Sequence, residues 1–188
     1  MEPVAVNAGI MAFMVFSGAI IVLGLFLAGV HVMPEPEKAV ATVSVVCKVA
    51  GIGELIGAVL LLTFSPLGEP VSLFLGTLIG FFGLLFLITA WVLEKGGDLR
   101  PFGTYLLFVA VALIIYGSFA GMVPGMGELA ALLFLVAVAC ILSCVGTWGW
   151  SPAMGKLGGW LLVIVGIWGI RFWAMDLFAG SIKVMLGG

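Results

Sequence analysis

Hydrophobic positions along this chain come in six long uninterrupted runs, and polar positions gather in short stretches between them. The runs fall near 8–32, 40–64, 71–93, 102–123, 129–148 and 158–180. Each is close to the roughly 20 apolar residues that a helix needs to cross about 30 Å of hydrocarbon. They are continuous rather than alternating, which disfavours strands. A backbone in lipid must then satisfy its own hydrogen bonds within helices. The pattern predicts an all-α polytopic membrane protein, one domain of six transmembrane helices that divides into two three-helix repeats.

Composition reinforces this. Hydrophobic residues make up 64% of the 188 and charged residues 9%, against about 25% charged in soluble domains. Mean hydropathy is +1.38. The segment ahead of the first run, Met1-Glu2-Pro3, is not basic, and the run outlasts a signal-peptide core, so span 1 is expected to be retained. Charge adds an orientation. Lys38 lies in the first turn, Lys95 and Arg100 in the third and Lys156 in the fifth, whereas the second and fourth turns carry no basic residue and the C-terminal segment carries Lys183. Excess positive charge marks the cytoplasmic side, so the odd turns are expected in the cytoplasm and both termini outside it.

Ionisable residues inside a bilayer cost about 2.5 to 3.5 kcal/mol on insertion scales and face a partner or a cavity. Four occur here: Lys48, Glu54, Arg171 and Asp176. At about 1.5 Å per residue, Glu54 and Arg171 both lie about 21 to 23 Å from the cytoplasmic entry of spans 2 and 6. An ion pair between Glu54 and Arg171 is therefore expected, either as a staple between helices or as part of a pore wall. Lys48, about 14 Å deep by the same rise, has no evident acid at its level and is a candidate to meet an anionic or carbonyl-bearing solute. Asp176 sits nearer the outer interface. Within span 6, Trp168 and Phe172 stand beside Arg171 and could form an aromatic constriction, while Trp91, Trp148 and Trp150 suit an interfacial belt.

Other chemistry is sparse. Cys47, Cys140 and Cys144 lie in apolar spans and behave there as small hydrophobes, and His31 has no acid or nucleophile beside it. No phosphate loop, metalloprotease or serine-hydrolase motif occurs. No enzyme activity, metal, cofactor or nucleic-acid partner is expected of a chain with net charge -2 and no basic patch. Small residues four apart, at Gly53 and Gly57, Gly76 and Gly80, Gly117 and Gly121, and Gly155 and Gly159, suit close helix packing. What remains is a channel, a small secondary transporter, or a structural subunit of a larger membrane complex.

The third turn and its flanks, Gly80-Phe81-Phe82-Gly83-Leu84-Leu85-Phe86, then Gly97-Asp98-Leu99-Arg100-Pro101-Phe102 and Leu107-Phe108-Val109-Ala110, resemble the AmiS/UreI family of amide and urea channels. The first turn and Gly155-Lys156 before Trp160 fall in matching order. The resemblance implies six helices with external termini, a pore in each protomer, a hexameric ring in the inner membrane, and downhill passage of small uncharged solutes. Asp98 and Arg100 would lock the cytoplasmic turn. The chain departs from urea-conducting members where a span-6 carboxylate falls on Val165 and span-5 tryptophans fall near Phe134, Ala137 and Ile141. The external turns contain no histidine, so no acid gate of that type is expected. Gly51-Ile52-Gly53-Glu54-Leu55-Ile56-Gly57 also resembles the acetate and succinate permeases, for which Lys48 and Arg171 would suit a carboxylate.

Overall fold

The computed structural model describes residues 3–30 and 35–171, with side chains from residue 12 onward. His31, Phe172, Trp173, Asp176 and Lys183 lie outside the described residues. Six α-helices follow one another: α1 (Pro3–Leu27), α2 (Pro36–Phe64), α3 (Glu69–Lys95), α4 (Leu99–Met122), α5 (Gly127–Thr147) and α6 (Pro152–Ile170). Among the described residues there is no strand. Helices α2 to α6 are each long and apolar enough to cross a membrane, and α1 contributes a shorter apolar stretch, Ala12–Leu27. The protein is an all-helical, multi-pass membrane bundle.

The helices start several residues before the apolar runs because polarity marks the edge of the hydrocarbon, not the edge of the helix. Proline sits in the first turn of α2, α3 and α6, where its fixed φ suits a helix and its missing N–H leaves no ladder bond unmade. Asp98 caps α4, its carboxylate accepting from the Arg100 N–H at 3.0 Å. The α2–α3 turn is four residues long. Gly68 N–H donates to Ser65 O at 3.0 Å and Leu67 N–H to the buried Ser72 hydroxyl at 3.0 Å, so the two helices are held antiparallel.

Helices α1 and α2, α2 and α3, α4 and α5, and α5 and α6 pack side by side, and α6 closes back on α1. That closure depends on glycine. A Cβ on Gly24 would lie 2.6 Å from Gly159 O, and one on Gly159 would lie 2.6 Å from Gly24 O, so the backbones of α1 and α6 touch directly. Gly159 was among the small residues singled out in the sequence, whereas Gly53 and Gly121 have ordinary clearance of 3.7 Å. The α3–α4 seam differs: the two backbones barely approach. Aromatic rings span the gap instead, Phe74 against Tyr116 with centroids 5.4 Å apart and Phe81 against Phe108 at 6.4 Å.

Candidate functional site

Two cavities lie in series inside the bundle. The larger, about 80 Å³, is walled by the C-terminal halves of α1, α3 and α5, the start of α4, and Leu162 of α6. All of these segments converge on the end of the bundle that carries the first, third and fifth turns. A smaller cavity of about 20 Å³ lies toward the other end, between Phe13, Leu78, Leu129, Leu133 and Val165. Phe16, Phe82 and Val136 border both.

These three residues come from the middle of α1, α3 and α5, so the two cavities adjoin midway along the bundle. Phe16 and Phe82 approach to 4.5 Å between centroids with planes at 52°, and Phe86 meets Phe16 edge-on at 6.0 Å. Helix register explains the grouping: Phe82 and Phe86 are four apart, on one face of α3. No charged side chain lines either cavity among the described residues.

The polar groups in the larger wall are Thr89, Cys140, Ser143 and Thr147. Cys140, Ser143 and Thr147 share one face of α5 by their spacing of three and four. Thr89 donates to Leu85 O at 2.8 Å and Thr147 to Cys144 O at 2.9 Å, so both hydroxyl protons are spent on the helix that carries them. The Ser143 hydroxyl is buried without a partner and rests where a side chain on Gly158 would go, 2.7 Å from that Cβ position.

The charged residues expected to line a path are elsewhere. Helix α2 contributes nothing to the lining of either cavity, which removes Lys48 and Glu54 from it. Lys48 instead pairs with Glu94 at 2.6 Å, both side chains about half exposed, at 42% and 50%. This is the acid that the sequence did not reveal. Side chains on a helix lean toward its N-terminus, and α2 and α3 are antiparallel, so Lys48 leans toward one end of the bundle while Glu94 leans back to meet it.

The expected Glu54–Arg171 ion pair is not formed. Glu54 is buried at 1% exposure with neither carboxylate oxygen bonded, and Arg171 is exposed at the C-terminus of α6. The depths agree, but depth alone does not bring two side chains together. Helix α1 packs against both α2 and α6, and the buried face of α6 runs through Gly159, Leu162, Gly166 and Gly169. Arg171, two residues after Gly169, is turned about 200° from that face. Trp168 is half-buried, its indole N–H enclosed without an acceptor, and it is not among the residues lining either cavity. Phe172 lies outside the described residues.

At the third turn, Asp98 caps α4 and the Trp148 indole donates to Arg100 O at 3.2 Å. Arg100 is therefore held by its backbone at both its N–H and its carbonyl. All three cysteines are free and buried, and among the described residues no cluster of His, Cys, Asp or Glu could hold a metal. No protein-family model matches the chain, and comparison with curated proteins and with solved structures gave no match.

Proposed function

We propose that the protein is a passive channel for small uncharged solutes, such as short-chain amides or urea, with a path along the axis of each protomer. The observation that carries this reading is the pair of cavities in series, meeting at Phe16, Phe82 and Val136 midway through the bundle. A path needs internal space at successive depths. Helices packed only to hold one another need none, since protein interiors are close-packed.

The walls favour neutral solutes. An ion on this axis would leave water with no charged partner among the described residues, at a cost of many kcal/mol. The acetate permease alternative requires a cation facing the solute, and the engagement of Lys48 with Glu94 outside the cavities weighs against it. Transport rather than catalysis is assigned. The resemblance to the AmiS/UreI channels supports the same reading and adds its finer parts: a homo-oligomer, hexameric as in that family, in the inner membrane, with both termini outside the cytoplasm.

Stopped-flow light scattering on proteoliposomes tests it. Re-swelling with acetamide or urea faster than in empty liposomes, and unaffected by a pH gradient, is the expected result. Uptake of acetate alone would transfer the protein to the permease reading, and no flux of any solute would leave it a structural subunit.

A further inference from the structure

We infer that the larger cavity is a dry binding site for a hydrocarbon group of about three or four carbon atoms. Its wall is built from Phe16, Phe26, Phe86, Phe102, Leu106 and Leu162, with the other lining residues also mainly apolar. Two of the three hydroxyls on the wall have no free proton for a ligand, and the third, on Ser143, is unpartnered but packed against the Gly158 position. Thr89 and Thr147 give their protons to carbonyls of their own helices.

The surface presented to the space is almost entirely apolar, so water there would find fewer than the two to four polar partners that an ordered buried water requires. A cavity of about 150 Å³ with such walls stays dry and takes up benzene or xenon. At about 80 Å³, this one is matched by something smaller, a xenon atom or a short alkyl group. The group could belong to a wholly apolar molecule or form the tail of a neutral solute; the recognising chemistry is the same. The inference rests on the wall alone and stands whether or not solutes cross.

The test uses the full chain in lipid nanodiscs, with xenon as the probe followed by ¹²⁹Xe NMR and empty nanodiscs as the baseline. A saturable xenon shift above that baseline is expected. Cys140→Phe and, separately, Leu85→Phe, each filling the cavity from a different helix, should weaken it at least tenfold. Lys48→Gln, on α2 and outside both cavities, should leave it unchanged. Displacement of xenon by n-propanol would assign the site to neutral solutes with alkyl tails, and resistance to propanol would assign it to wholly apolar molecules. The inference is overturned if folded protein shows no saturable shift, if both filled variants bind xenon like the parent, or if urea displaces xenon as well as propanol does.

Discussion

At the scale of single residues, the buried and exposed charges behave differently. Lys48 and Glu94 are each about half exposed, and pairs of that kind contribute about 1 kcal/mol or less. Lys48→Gln should therefore lower the melting temperature only slightly and leave solute flux intact; loss of flux would return Lys48 to the path. Glu54 is enclosed and unpartnered. Replacing such a group by an apolar one of similar shape is nearly neutral or stabilising, so Glu54→Met should retain or raise thermal stability. A fall of several kcal/mol would reveal a partner. Arg171→Ala, at an exposed position, should stay within about 0.5 kcal/mol of the parent. The sequence made all these charges visible, and the rise per residue placed Glu54 and Arg171 at one depth. It could not give their rotation about the helix axes, nor the lean of Lys48 and Glu94 toward each other, and those two facts decide the partners.

At the scale of elements, the six apolar runs were legible because a bilayer demands them, and all six became helices. The boundaries were not, since Pro36, Glu37, Glu69, Pro70 and Pro152 are polar or helix-limiting in appearance yet sit inside first turns. The glycines were visible without their pairings. Gly159→Ala would drive a Cβ against the α1 backbone, and an expected cost of about 2 to 3 kcal/mol can be read by thermal unfolding. Gly18→Ala is the contrast: its Cβ meets nothing within 4 Å, and alanine in a helix interior should stabilise by up to about 1 kcal/mol. Asp98→Ala, which deletes the cap of α4, should cost about 1 kcal/mol in the same assay, and a neutral result would mean the third turn is held by Trp148 alone.

At the scale of the whole molecule, the two cavities are lined by side chains from five helices, and no single segment announces them. The sequence held partial signals, Phe82 and Phe86 on one turn of α3 and the Cys140, Ser143, Thr147 stripe on α5, but these have the spacing of ordinary core residues. Only the closure of α6 on α1, with α3 and α4 bridged by rings, turns them inward around shared space. The proposed path passes the junction of the two cavities at Phe16, Phe82 and Val136, and the most direct measurement is solute flux through variants at that point. In proteoliposomes, Val136→Trp should abolish acetamide re-swelling, while Phe119→Trp, at a 60% exposed position of α4, should leave it unchanged. Undiminished flux in a folded Val136→Trp protein would contradict an axial path.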